Sequence, residues 1–292
     1  MNPKYKQWLV ASAPLVFVLL WSTGYLSGRI LRPYVDPLSF SVLRFTAASC
    51  ILLVIVFYRS APWPNRTQDW FHLGVCGILI QGFFVTGTMV AVNIGLEMGL
   101  AALIGGMQPI LTALFAVLWL RESVTNIQKA GFIFGFLGLS LVLYQGIDVG
   151  EVPLDALIIS VFGMLGITLG TLYQKKYAVD VNIFTGTTIQ YLAVLIPICL
   201  LAVLFEDGDI EWNVPVIFTA LWLIIVQSIG AVLLLYAMIS AGAVSRVSSL
   251  FYLVPPICVL EGYFLFAETM TVTQLVGILI VTVSVVVVMR KS

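Results

Sequence analysis

The sequence predicts an all-α integral membrane protein, with ten transmembrane helices arranged as two inverted five-helix repeats. Three observations predict it. The chain of 292 residues is 61% hydrophobic and 10% charged, with a mean hydropathy of +1.08. A soluble domain carries about 25% charged residues, so lipid must solvate much of this surface. The apolar residues fall in runs of about 20, the length a helix needs to cross the hydrocarbon core. Finally, residues 108–138 are written again as 254–284. Pro109, Leu114, Glu122, Thr125, Gln128 and Gly131 reappear without a gap as Pro255, Leu260, Glu268, Thr271, Gln274 and Gly277, an offset of 146 positions and half of the chain.

The apolar runs place spans at roughly 8–30, 37–58, 70–93, 99–120, 126–145, 154–174, 182–204, 214–239, 245–266 and 272–289. They are continuously apolar and long, not alternating, which selects helices over barrel strands. In lipid each segment must also satisfy its own backbone polar groups. The loops are short, the longest being Arg59–Asp69 and Phe205–Asn213.

The offset divides the chain into residues 1–146 and 147–292, each expected to form one five-helix unit. Five crossings is an odd number, so the second unit starts on the opposite side of the membrane from the first. The two are then related by a pseudo-two-fold axis in the membrane plane. Positive charge fixes the orientation. Lys4, Lys6, Arg59, Arg66, Arg121, Lys129, Lys175, Lys176, Arg246, Arg290 and Lys291 fall on the side of the N-terminus, against Arg29 and Arg32 on the other. Both termini are therefore expected to be cytoplasmic. The acidic run Glu206–Glu211, Asp148, Glu151 and Asp155 are expected to face outward. The repeat continues more weakly elsewhere. Gly24 and Leu26 match Gly170 and Leu172, Gln81 matches Gln227, and Ala91 matches Ala237. Pro37–Phe45 lies over Ile183–Tyr191, with Arg44 opposite Gln190.

Several function classes are excluded or disfavoured. No basic cluster with interleaved aromatics suggests nucleic acid, and no GxxxxGK[ST] loop suggests a nucleotide. There is no HExxH or GxSxG pattern, and His72 is the only histidine. The sequence thus reads as no enzyme, with no catalytic residue, metal or cofactor. Cys50, Cys76, Cys199 and Cys258 form no CxxC pair and read as small core residues.

Four pieces of the chain resemble the EamA family of the drug/metabolite transporter superfamily. They are Trp21-Ser22-x-Gly24, Pro37-x6-Arg44-Phe45-x-x-Ala48, Pro109 with Arg121-Glu122-x-x-Thr125-x-x-Gln128-x-x-Gly131, and the recurrence of that signature as Pro255 with Glu268-x-x-Thr271-x-x-Gln274-x-x-Gly277. The resemblance implies ten helices and movement of small metabolites, such as amino acids and related compounds, nucleotide precursors or drugs. Gln190 stands where the first half has Arg44, so any task of that arginine is not duplicated.

The repeated signature reads first as helix-start corners. Thr125–Gln128 and Thr271–Gln274 each fit a capping box, and Glu122 and Glu268 precede them, where the helix dipole favours a carboxylate. Pro109, Pro255 and Pro256 fall inside the fourth and ninth spans, where proline removes a hydrogen bond and kinks the helix. They are candidate gating kinks, with Gln108 and Tyr252 beside them. Gly24/Gly28, Gly131/Gly135 and Gly166/Gly170 have the small-xxx-small spacing of packed membrane helices.

Polar residues inside spans are the site candidates, because they are costly in lipid and face an interior. The candidate substrate path is Trp21, Tyr25, Gln81, Gln108, Tyr173, Gln227, Tyr252 and Glu261, with Trp222 and Tyr236 as further aromatics. Glu261 is read as either cavity-facing, where it would hold an ammonium group or carry a coupling proton, or interfacial. Arg44 is read first as a snorkelling, structural residue; pairing with Glu261 is open.

The expected function is a secondary transporter, an exporter of small metabolites working by alternating access in a bacterial cytoplasmic (inner) membrane. Its partners would be a small-molecule substrate and the bilayer; the sequence sets no oligomeric state. The alternatives are a lipid or lipid-carrier translocase on the same fold, and a non-transporting membrane scaffold.

Overall fold

The computed structural model describes residues 3–96, 98–144, 153–242, 244–266 and 271–289. Every regular element among them is helical, apart from an isolated antiparallel bridge between Val35 and Ile210. We number the helices α1 (Pro3–Leu31), α2 (Pro37–Tyr58), α3 (Thr67–Asn93), α4 (Met98–Gly105 and Gln108–Leu120) and α5 (Asn126–Leu143). The remainder are α6 (Leu154–Tyr177), α7 (Ile183–Phe205), α8 (Val214–Ala241), α9 (Val244–Ser249, a 3₁₀ turn Leu250–Leu253, then Val254–Phe266) and α10 (Val272–Met289). Among the described residues nine helices, α2 to α10, are long and apolar enough to cross a membrane, and α1 carries a shorter apolar stretch, Ser12–Gly28.

The outward faces are apolar. Val54, Phe57, Ile196, Val203, Phe218 and Leu279 are all exposed. Polar groups instead lie inside, where Arg44, Gln81, Gln108, Gln174, Gln190 and Gln227 are buried. This inside-out distribution is that of a multi-pass membrane protein, since lipid solvates aliphatic side chains and leaves polar ones to find partners in the bundle.

Two antiparallel helix pairs organise the bundle. In the first, α5 packs on α10. A Cβ on Gly131 would come 2.8 Å from Val288, and one on Gly277 would come 2.8 Å from Val142 Cγ2 and 2.7 Å from the Gly138 carbonyl. Only glycine permits backbones this close. In the second pair α2 lies along α7, with Phe45 stacked on Tyr191 midway and Arg59 over Phe184 at one end. At the other end, Glu206 accepts hydrogen bonds from the Leu38 and Ser39 amides (2.8 and 2.7 Å). Those are two of the donors a helix N-terminus leaves unsatisfied.

The corner before α5 is a capping box. Thr125 Oγ1 accepts from the Gln128 amide, and Gln128 Oε1 accepts from the Thr125 amide at 3.0 Å. Thr271 and Gln274 make the same reciprocal pair before α10. Glu122 does not cap the helix it precedes. It reaches across to the N-terminus of α9, accepting from the Val244 amide (2.8 Å), the Ser245 amide (3.3 Å) and Ser245 Oγ (2.6 Å). Glu268 lies outside the described residues.

The prolines stand differently from the expectation of mid-helix kinks. The chain breaks its helix before them, at Gly106–Met107 in α4 and at the 3₁₀ turn in α9. Pro109 then falls in the first turn of the α-helical segment that follows, and Pro255 and Pro256 directly follow the 3₁₀ turn.

Candidate functional site

The polar interior is built on two irregular helical stretches that the sequence did not reveal. α3 is π-helical over Ile78–Thr86 and α8 over Leu223–Ala231. In each, a hydroxyl bonds the carbonyl five residues back, Thr86 to Gln81 (3.0 Å) and Ser228 to Leu223 (2.9 Å). Gln81 and Gln227 occur within these stretches. A π-turn shifts side chains out of the ordinary helical register and is frequent at functional sites.

Arg44 of α2 is buried against the second stretch. Its Nε donates to Ser228 Oγ at 2.6 Å and its Nη2 to Gln227 Oε1 at 2.8 Å. The Gln227 amide donates in turn to the Trp21 carbonyl (3.4 Å), and the Tyr191 hydroxyl donates to the Ser228 carbonyl. The first stretch carries an uncharged chain. Gln81 donates to the Tyr236 hydroxyl (3.2 Å), Tyr236 donates to Gln190 Oε1 (2.6 Å), and Gln190 donates to Gln174 Oε1 (2.9 Å).

Arg44, Gln227 and Trp21 line a cavity of about 100 Å³ between α1, α2, α3 and α8. Its aromatic wall is Trp21, Tyr25 and Phe84, the Trp21 and Phe84 rings stacked at 6.4 Å. Thr88, Asn93 and, at the end where α1 turns into α2, the exposed Arg32 complete the polar lining. Gly24 lets Gln227 of α8 pack against α1, whereas Gly28 keeps space open. A Cβ on Gly24 would collide with the Gln227 amide, and Gly28 faces open space. A second cavity, of about 30 Å³, lies where α6 turns into α7, bordered by Gln174, Ala178, Val181, Ile183, Gln190 and Ile239. The length of α7 separates that turn from the α1–α2 turn, which the segment 206–211 straps through Asp36 and Glu206.

Of the expected path residues, Trp21, Tyr25 and Gln227 line the larger cavity. Gln81 is held in the uncharged chain. Tyr252 donates to the Phe132 carbonyl at 2.9 Å and packs on α5, and Tyr173 pairs with His72 (2.7 Å) in an aromatic cluster with Tyr177 and Trp119. Gln108 is buried, and its amide has no partner among the described residues. Glu261 accepts from Ser22 Oγ at 2.7 Å, linking α9 to α1, while its other oxygen is buried without a described partner. Arg44 does not pair with it. Trp222 donates to Thr23 Oγ1 (2.9 Å) near the surface. Sequence reasoning missed Arg32, Phe84, Thr88 and Asn93 of the cavity, Tyr191 and Ser228 beside Arg44, and Gln174. The one available signal was Arg44 standing opposite Gln190.

A helical bundle with apolar outward faces and polar groups around an interior cavity defines a multi-pass membrane protein. The profile of the EamA-like transporter family matches residues 8–144 and again residues 155–290; the chain belongs to that family. It is 25% identical to Uncharacterized transporter YvbV of Bacillus subtilis, over 94% of this chain and 90% of that one. It is 21% identical to a Salmonella typhimurium protein named Probable amino-acid metabolite efflux pump, over 91% and 90%. A solved crystal structure shares its fold with a TM-score of 0.78, at 18% identity and over 94% of both chains.

Proposed function

We propose that this protein is a secondary transporter that moves small metabolites across a cytoplasmic membrane by alternating access. It has ten crossings in two inverted five-helix units, residues 1–146 and 147–292. The helix Pro3–Leu31, about 43 Å long at 1.5 Å per residue, supplies the crossing beyond the nine apolar helices.

The observation that carries this reading is the relation between the two cavities. Gly28, Arg32, Val35, Pro37, Arg44 and Asn93 border the larger one; Gln174, Ala178, Val181, Ile183, Gln190 and Ile239, each 146 positions on, border the smaller. The cavities lie toward opposite ends of the bundle. A two-fold axis in the membrane plane exchanges them, and the structure holds one wider than the other. In the opposite state the second cavity opens as the first closes. The antiparallel pairs α2/α7 and α5/α10, each joining equivalent helices of the two halves, would stay together as the halves rock.

Positive charge on the loops favours cytoplasmic termini, so the larger cavity would open outward. The efflux-pump name of the Salmonella relative favours export of amino acids or related compounds.

The test uses single cysteines at Gly28 and at Val181, on a background without Cys50, Cys76, Cys199 and Cys258. Substrate added to reconstituted protein should change their reactivity toward a water-soluble thiol reagent in opposite directions. Changes of the same sign at both sites would sink alternating access.

A further inference from the structure

Arg44 carries a charge in the bundle interior, yet its two hydrogen bonds go to neutral oxygens, Ser228 Oγ and Gln227 Oε1. Glu261 bonds Ser22 instead and does not border the cavity. An interior charge without a counter-ion is costly. The packing of this position does not require one, because Gln190 fills the equivalent place in an uncharged amide–phenol chain. The charge of Arg44, though not its hydrogen bonds to α8, is therefore surplus to the scaffold.

A guanidinium has five N–H donors in a planar fork. Nη1 of Arg44 has no hydrogen bond to the described residues, and Arg44 borders the cavity. Among the described residues no aspartate or glutamate borders it, whereas a second guanidinium, Arg32, stands at its mouth. Asp36 and Glu206, at the same end of the bundle, are turned to backbone amides in the α1–α2 strap.

We propose that the larger cavity recognises small organic carboxylates. Arg44 would hold the carboxylate, and Trp21, Tyr25 and Phe84 would seat an apolar remainder. An arginine fork matches a carboxylate's two oxygens, and the aromatic faces suit a flat or aliphatic body. An ammonium group would find neutral acceptors in Thr88, Asn93, Tyr25 and Gln227 and aromatic faces in Trp21 and Phe84, but no described carboxylate, and it would stand beside two like charges. The preferred solutes are thus acids lacking an amine, such as 2-oxo, hydroxy or aryl acids, ahead of zwitterionic amino acids and amines. This inference rests on the transporter reading only for its consequence, and is tested without transport.

Full-length protein in nanodiscs is titrated with four probes of one shape: 3-phenylpropionate, phenylalanine, phenethylamine and 3-phenylpropanol. The propionate should bind roughly ten- to a hundredfold more tightly than the amine and the alcohol, the range expected for charge-assisted hydrogen bonds. Arg44→Gln, which copies the second half, should remove that preference. Equal or weaker binding of the propionate by the wild-type chain overturns the proposal, as does no saturable propionate binding or an unchanged preference in Arg44→Gln. The wild-type series decides even if the variant does not fold. Selective binding without reciprocal cysteine reactivity would count against alternating access alone; reciprocal reactivity without the selectivity would count against this proposal alone.

Discussion

Phe45 and Tyr191 stack with 5.2 Å between ring centroids and 23° between planes, and they stand 146 positions apart in the chain. Residues at equivalent places in two halves meet face to face only where an axis relating the halves passes between them. This contact is therefore where the proposed two-fold axis would cross the α2/α7 pair. The Tyr191 hydroxyl bonds the Ser228 carbonyl, so the same ring braces the stretch that holds Arg44.

Tyr191→Phe keeps the stack and removes one hydrogen bond, so it should destabilise by about 1 kcal/mol. Tyr191→Ala removes both and should cost about 3–5 kcal/mol. Combined with Phe45→Ala it should cost less than the sum, by about 1 kcal/mol, because the ring pair is lost only once. Reversible unfolding in mixed micelles measures the wild type, the three single variants and the double variant. Strict additivity would show that the rings do not support each other.

Glu261 and Ser22 join α9 to α1 through one hydrogen bond of 2.7 Å. A double-mutant cycle of Ser22→Ala and Glu261→Gln should show a coupling of about 1–2 kcal/mol. Counterflow in proteoliposomes with and without a pH gradient then separates structure from coupling. If Glu261 carries a proton, Glu261→Gln abolishes the effect of the gradient; equal fluxes in variant and wild type remove that role.

How much of this was legible depended on distance along the chain. The capping boxes were readable because Thr125 and Gln128, or Thr271 and Gln274, act three residues apart. The destination of Glu122 was not, since it crosses to Val244 and Ser245, more than 100 residues on. Span positions followed from apolar length alone. The faces of those spans did not, because helices that are apolar nearly all round give no period to orient them. Residue type and depth alone thus group Tyr252 and Tyr173 with Trp21 and Tyr25, yet the structure turns them to α5 and to His72. The π-helical stretches have no sequence signal that we recognise, and they set where Gln81 and Gln227 point. The difference between Arg44 and Gln190 was visible, but its meaning needed the cavity.

Glu122 holds the start of α9 by three hydrogen bonds. Glu122→Ala should destabilise by about 1–3 kcal/mol through loss of an N-terminal cap and its charge, and Glu122→Gln by less. The readout that distinguishes a cap from a generic surface effect is amide exchange. Protection at Val244 and Ser245 should fall in Glu122→Ala while α2 and α7 exchange as before. Uniform loss of protection would argue against a local role.

Two glycines of opposite surroundings separate scaffold from cavity. Gly277 lies under the Gly138 carbonyl, where a Cβ would approach to 2.7 Å, whereas Gly28 has nothing within 4 Å. Gly277→Val forces α5 and α10 apart, and overpacking of this kind should cost about 1–3 kcal/mol or more. Gly28→Leu meets no such obstacle. It borders the larger cavity and places a butyl group in a space of about 100 Å³. Its expected stability change is within about 0.5 kcal/mol, yet it should block solute binding and flux. Unfolding midpoints and ligand titrations on the same preparations give both answers. Full binding by a folded Gly28→Leu protein would place the solute elsewhere, and a neutral Gly277→Val would mean that the α5/α10 contact yields more readily than its backbone spacing implies.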